Sequence, residues 1–580
     1  MIARRQERWL CAVFLLVALL FGGFEAHYGR SDYSQDAVCY LTLTHALEHH
    51  QWMLAGNSVW SVGYPVLILT AEQFTNHTPL AEWHAIHVLN LVILTATFLS
   101  FLFFLDSASE ESPSAPRSSL ALLTVALSIF VSIELAINLV SRVSPDMLVA
   151  CFFLLSAGQL LRMSKHPSSS RALLLGLTLG CGYLAKGVFL PIACFAFVIL
   201  AFAVRPAGRA LKHLAISVAV FLVLVLPYAL WMSVSLGRFT TGTAGSLNYA
   251  ANVNHMENID WQGGPPPLGN PIHPVRLIPG RALMYEFGQP FHVTYAPMYE
   301  RFYFDEGFRS FFSPRYQLRA MLRNCHQFVL LLVLHPIFYA WILILALLYG
   351  GMPYRRASWR SRLGAGWPAL VLAALSILMY LCVVVEPRYL PGFLIVLLVI
   401  PALAFGPSGK EIPAGLAATV VAIALLGAAS DIGWSNRATF RAAADGRTVA
   451  NDPSWELASH LSAYDLVPGD DVGVITHITG AYATWAYLAN LNIVAEIVEP
   501  GHGGNPRTAG YEEDFFDYPA QEAGPRPNFW ELRPEEQQAA LDHFRQAGAA
   551  AVVSLSKPAG ISLPPGWVPV AGTEAWIYRF

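Results

Sequence analysis

Carboxylates and cations are sparse in this chain, and the notable ones stand where apolar runs begin or end. Asp36 and Tyr40 lie in Asp32-Tyr-Ser-Gln-Asp36-Ala-Val-Cys-Tyr40, shortly after the first apolar run. On a helix Tyr40 would follow Asp36 by one turn. A carboxylate at a membrane surface is able to take a proton as a general base. Asp36 is the first candidate for that work and Asp32 its rival; the alternative is a helix N-cap or a solvated loop carboxylate. Asp146 follows Pro145 at the mouth of another apolar run. Proline at the first helical position and an acid in the first turn suit a helix start; a second acidic group shaping a pocket is the other reading. Arg142, four residues earlier, is a partner for Asp146 or for an anion. Lys186 and Arg388 each sit between two apolar runs. A cation placed centrally in a bilayer costs at least about 2.5–3.5 kcal/mol. Such a residue is functional or snorkels to the headgroups, and Glu386 offers Arg388 a partner two positions away.

The elements that must position these residues follow from composition. Of 580 residues 55% are hydrophobic and 13% charged, against about 25% charged in soluble domains. With a mean hydropathy of +0.46, much of the chain has lipid as its solvent. A formal net charge of -3 gives no basic field for nucleic acid. A helix needs about 20 apolar residues to span the hydrocarbon. Eleven segments are candidates: 9–25, 84–105, 118–140, 145–162, 171–185, 187–204, 212–235, 325–349, 366–386, 388–406 and 413–433. The short pair 171–185 and 187–204, joined at Lys186-Gly187, reads as a hairpin. Arg4, Arg5 and Arg8, then Arg162, Lys165 and Arg171, then Arg205, Arg209 and Lys212, then Arg355, Arg356, Arg360 and Arg362 mark one side as cytoplasmic. The N-terminus is then cytoplasmic, with an uncleaved signal anchor. Loops 26–83 and 236–324 and the tail 434–580 fall on the outer face.

The expected division is therefore a transmembrane domain over 1–433 and an outer α/β domain over 434–580. In that tail Asp471-Val-Gly-Val-Ile-Thr reads as a buried strand after a turn. Pro534 to Gly548 reads as a helix stopped by glycine. Ala549–Leu555 and Trp576–Phe580 read as further strands, 499–528 as loop, and Asp470-Asp471 as a turn.

Other chemistries find little support. The seven cysteines show no CxxC and no Cys/His cluster, so neither a disulfide framework nor zinc is indicated; His255, His273 and His292 lack ligand spacing. Gly263-Gly264 and Gly501-x-Gly503-Gly504 are not phosphate loops. Tyr249, Trp261, Tyr285, Tyr295, Tyr299, Phe302 and Tyr303 give the second outer loop aromatic faces for a sugar or for the membrane interface.

Four motifs occur in order along residues 10–405. Asp36-x-x-x-Tyr40, with a following helix, precedes a Gly63-Tyr64-Pro65 turn. Val143-Ser-Pro-Asp146 opens the fourth span. Tyr183-Leu-Ala-Lys186-Gly187 and Glu386-Pro-Arg388-Tyr389-Leu-Pro391 lie at later span ends. Together they resemble the GT-C glycosyltransferases, which include protein O-mannosyltransferases and the lipid A aminoarabinose transferase. The resemblance implies a polytopic α-helical, GT-C-like protein of the bacterial inner membrane, with about eleven transmembrane helices, juxtamembrane outer loops and a small periplasmic α/β domain. It implies transfer of a sugar from a polyprenyl-phosphate donor to a glycan, lipid or protein acceptor, with inversion. Asp36 would be the base, Asp146 a second acid, and Lys186 and Arg388 the phosphate ligands. Tyr40, Tyr64, Arg142 and Tyr389 would help bind substrate. A divalent metal is compatible with the wider class, without a dedicated ligand cluster beyond an Asp36/Asp146 pair. Tyr183-Leu-Ala, where the family has Thr before the lysine, departs from the pattern, as does Glu386-Pro387. A transporter or flippase, or a protein that only binds a lipid-linked glycan, is the competing reading.

Overall fold

A computed structural model describes residues 2–29, 33–76, 78–109, 120–254, 275–277, 283–286, 310–350, 363–405, 412–448, 452–476, 483–498, 529–555 and 560–580. Asp32, Trp261, Tyr295, Tyr299, Phe302, Tyr303, the three loop histidines, both glycine stretches, Arg355–Arg362 and the 499–528 segment lie outside these residues. The chain divides into two compact units. One comprises Met1–Arg30, Leu43–His255 and Ser310–Arg447; the other comprises Ser31–Thr42, Met256–Arg309 and Thr448–Phe580.

The first unit is helical. Its principal helices are α1 (Ile2–Tyr28), the second half of α2 (Gln35–Glu48), α3 (Gly63–Glu72), α4 (Pro79–Ser109), α5 (Leu120–Ile133), α6 (Asp146–Lys165), α7 (Ser169–Ala185), α8 (Phe189–Ala203), α9 (Ala207–Leu236), α10 (Pro314–Leu334), α11 (Pro336–Gly350), α12 (Trp367–Val383), α13 (Pro391–Phe405) and α14 (Ala414–Ser435). Each of the eleven apolar segments read from the sequence contains helix. Among the described residues six helices are long and apolar enough to cross a membrane, or seven if α10 and α11, bent by 75° at their junction, form one span. The break falls at His335, because Pro336 has no N–H to continue the ladder. α8, α12 and α13 are shorter apolar helices.

Packing places the polar span ends together. α4 packs on α6, α7 on α9, and α14 on α5 and α11, while α13 lies against α5, α6 and α12. α13 is apolar all round and almost wholly buried, as a helix at the centre of a bundle must be. Two glycines permit close approach. A Cβ at Gly392 would lie 3.1 Å from the Ala150 Cα, and one at Gly63 only 2.6 Å from the Leu184 carbonyl oxygen. The first brings the start of α13 onto α6; the second brings the start of α3 onto the end of α7.

The second unit contains a seven-stranded mixed sheet: β1 (Val275–Leu277), β2 (Leu283–Glu286), β3 (Asp471–Thr476), β4 (Asn492–Val498), β5 (Ala551–Ser554), β6 (Trp567–Pro569) and β7 (Trp576–Arg579), in the order β1-β2-β4-β3-β5-β7-β6. β3 pairs in parallel with β4 and β5. Its helices are α15 (Pro453–His460), α16 (Thr484–Leu488) and α17 (Pro534–Gln546), the last followed by Gly548 at φ +93°. Ile475, Ile497, Phe529, Trp530, Phe544, Val552 and Trp567 form its core. Two strands come from the second outer loop and the first half of α2 from the first, so this unit draws on more of the chain than the tail alone.

Candidate active site

Four polar residues from three places in the helical unit converge. Asp146 is the first residue of α6 and is buried, at 4% exposure. Its Oδ1 accepts from Lys186 Nζ at 2.5 Å, and its Oδ2 accepts from the Ser144 hydroxyl at 3.0 Å. Arg388 Nε lies 3.7 Å from Oδ2 and donates to Glu386 Oε2 at 2.6 Å. Tyr389 presents its ring face to both cations: Lys186 Nζ stands 4.1 Å and the Arg388 guanidinium carbon 5.1 Å from the ring centroid. Tyr380 stacks on Tyr389 with centroids 5.3 Å apart. A cation over an aromatic face is held by the ring quadrupole, so Tyr389 keeps both charges at one place.

Local sequence explains each position. Lys186 caps α7 in extended conformation, its N–H bonded to the Gly182 carbonyl. The Lys186 and Gly187 carbonyls accept from Phe189 and Leu190, which closes the turn into α8. Arg388 sits in a single 3-10 turn, Pro387–Tyr389, between α12 and α13. Pro387 stands at the first position of that turn and Pro391 at the first position of α13, where a missing N–H costs nothing. Asp146 opens α6, and an acid there also complements the helix dipole. Both readings of Asp146 therefore hold: it starts a helix and it is a buried partner of two cations.

A second network supports the same region. The Tyr64 hydroxyl, wholly buried, donates to Asn90 Oδ1 at 2.9 Å. Asn90 Nδ2 donates to the Val140 and Arg142 carbonyls at 2.9 and 3.0 Å. These bonds tie Tyr64, in the first turn of α3 where the sequence suggested a loop turn, to the segment leading into α6. That segment leaves a π-helical turn, Glu134–Asn138, through Leu139, whose φ of +55° is unusual for a residue with a Cβ. Such strain persists only where the surroundings fix it. The sequence reading passed over Asn90, Ser144 and Tyr380; a polar side chain midway through the apolar run 84–105 is the signal that would have drawn notice to Asn90.

Thus Asp146, Lys186, Arg388 and Tyr389 come together, with Tyr64 and Arg142 joined through Asn90. Asp36 and Tyr40 belong to the other unit. Asp36 is half-buried in the first turn of α2 and Tyr40 is buried one turn on. Ser34 caps this helix, its Oγ accepting from the Ala37 N–H at 3.3 Å. Among the described residues no three His, Cys, Asp or Glu side chains are grouped to hold a metal ion. Asp146 is moreover already engaged by a lysine and faces an arginine. This arrangement does not fit a divalent metal at Asp146, and no step is assigned to one.

No family model and no curated protein matches the chain in sequence. Solved structures do match in shape. The apo crystal structure of ArnT from Cupriavidus metallidurans, a lipid A aminoarabinose transferase, aligns with a TM-score of 0.50 at 14% identity, covering 98% of this chain and 97% of that one. The chain has the GT-C fold. The same ArnT bound to undecaprenyl phosphate aligns with a TM-score of 0.47, 14% identity and 98% and 97% coverage. The archaeal oligosaccharyltransferase AglB from Archaeoglobus fulgidus, in complex with an inhibitory peptide and a dolichol-phosphate, aligns with a TM-score of 0.47 and 13% identity over 94% of this chain and 69% of that one. As a GT-C-fold protein, the chain has a start for α6 and a turn between α12 and α13 that together carry the cluster just described.

Proposed function

We propose that this GT-C-fold chain is a glycosyltransferase of the bacterial inner membrane. It takes a sugar from a polyprenyl-phosphate donor and passes it to an acceptor at the periplasmic face. The observation that carries this reading is the pairing of Lys186 and Arg388 around one buried carboxylate and one aromatic face. Asp146 and Glu386 hold these two cations side by side, and their remaining N–H donors are suited to the oxygens of an anionic phosphate.

The chemistry follows from these groups. Asp36 takes the proton from an acceptor hydroxyl or amine. The acceptor atom forms a bond to the anomeric carbon on the face opposite the phosphate, and the bond from that carbon to the phosphate oxygen breaks. Its electron pair remains on the oxygen, and polyprenyl phosphate departs with inverted configuration in the product. Charge grows on the phosphate during this step, so fixed donors aimed at it lower the barrier. Arg388 contributes a planar fork suited to two phosphate oxygens, and Lys186 a point charge. Asp146 holds the two cations in place and is not the base.

Three wholly buried carboxylates, Glu25, Glu134 and Asp431, favour a second reading, since intramembrane acids often line ion pathways. The transporter reading predicts no dependence of glycan chemistry on Asp36. Mass spectrometry of envelope glycans from a deletion strain complemented with wild type or Asp36→Asn separates the two. The proposal expects a glycan product restored by wild type and reduced at least about a hundredfold by the variant, the scale of a lost general base. Full product from Asp36→Asn at matched expression would overturn it.

A further inference from the structure

The second unit joins residues that are 451 positions apart in sequence. The Thr484 hydroxyl, at the start of α16, donates to the Tyr33 carbonyl at 2.8 Å. Thr484 is 0% and Tyr33 1% exposed. The Tyr33 ring meets Tyr487, one turn along α16, edge to face with centroids 5.6 Å apart. Tyr33 immediately precedes Ser34, the cap of α2, and Asp36 lies in the first turn of that helix. α16 packs on α15 and on β4.

These contacts form a continuous mechanical chain from the sheet through α16 to the Asp36 turn. A buried carbonyl deprived of its donor is costly, so the bond fixes the backbone at Tyr33. Ser34 then fixes the first turn through its own cap. Ala37, Val38 and Cys39, beyond Asp36, are buried, so the turn that follows the cap is packed and not solvated.

We propose that Thr484 and Tyr487 are positioning residues for the Asp36 carboxylate, so that the C-terminal domain sets the geometry of the base. The proposal rests on the reading of Asp36 as that base. It gives the tail a part in catalysis that needs no contact with the acceptor.

The test uses the full-length protein in nanodiscs and the complemented deletion strain. Hydrogen exchange across residues 31–42 is followed by mass spectrometry for wild type, Thr484→Val and Thr484→Ser. Binding of undecaprenyl phosphate to the same samples reports intact folding of the helical unit. The expected result for Thr484→Val is faster exchange at 31–42, glycan product about tenfold lower, and undecaprenyl phosphate affinity within twofold of wild type. Thr484→Ser, which keeps the donor, should restore both exchange and product. Unchanged exchange in Thr484→Val, or a Thr484→Ser variant as defective as Thr484→Val, overturns the proposal. Asp36→Asn is the separating control. Product lost in Asp36→Asn but retained in Thr484→Val overturns the positioning role alone. Product retained in Asp36→Asn overturns the base assignment beneath it.

Discussion

Lys186 and Arg388 reach the same carboxylate by different chemistry, and their replacement should be read differently. Lys186 offers three donors on a flexible stem, one of them spent on Asp146. Lys186→Met removes a charged hydrogen bond to the incoming phosphate, worth about 1.5–3 kcal/mol, or about ten- to a hundredfold in undecaprenyl phosphate affinity. Arg388→Lys keeps the charge but loses the planar fork, including its bond to the Tyr389 hydroxyl at 3.3 Å, and should weaken binding by about tenfold. Isothermal titration or thermophoresis in nanodiscs checks both. Wild-type affinity in both variants would remove the cluster from donor recognition. At this scale the sequence showed the residue types and their neighbours but not their grouping. Asp146 and Lys186 are 40 positions apart, and no helical period links them. Only the motif resemblance set them in one pocket, and it did not reveal that Asp146 is committed to the lysine.

The junction of α2, α3 and α4 shows what burial does to charge at the level of elements. Glu72 ends α3 and is almost completely buried, with one carboxylate oxygen, Oε1, that no donor meets. Burial raises its pKa from 4.5 to about 8, the nearby Glu82 and Glu48 adding to the rise and His45 opposing it. Burial alone would depress His45, but the Glu82 carboxylate, 3.4 Å away, more than offsets it and leaves His45 raised. The sign for Glu72 is clear. In the unfolded chain it ionises near pH 4.5, whereas the folded protein keeps it protonated to about pH 8. Between those values the folded state binds more protons, so stability is full below about pH 4.5 and falls as pH rises toward 8. Glu72→Gln, neutral throughout, should flatten this fall and be more stable than wild type at pH 8 by about 2 kcal/mol, with little gain at pH 5. Thermal inactivation midpoints at the two pH values check this; an equal effect at both would contradict it. The elements themselves were largely legible. Each apolar run contains helix, and Gly548 was a visible stop. The 75° bend at His335 was not anticipated, because the flanking residues read as one uninterrupted apolar run.

At the scale of the whole molecule, the sequence conveyed the membrane class, the GT-C resemblance and most of the tail's strands. It did not convey how the second unit is assembled. β1 and β2 come from a Pro- and Gly-rich loop whose composition argues against strands, and they join the sheet by antiparallel pairing of β2 with β4. The docking of Tyr33 on α16 likewise depends on contacts between the two ends of the chain, which no local pattern encodes. The account as a whole depends on a lipid phosphate lodging beside the Lys186–Asp146–Arg388 group. A cryo-electron microscopy structure of the full-length protein with undecaprenyl phosphate tests this most directly. The account predicts phosphate density within hydrogen-bond distance of Lys186 Nζ and the Arg388 guanidinium, over the Tyr389 ring. Phosphate bound elsewhere, with both cations still closed on Asp146 and Glu386, would contradict it.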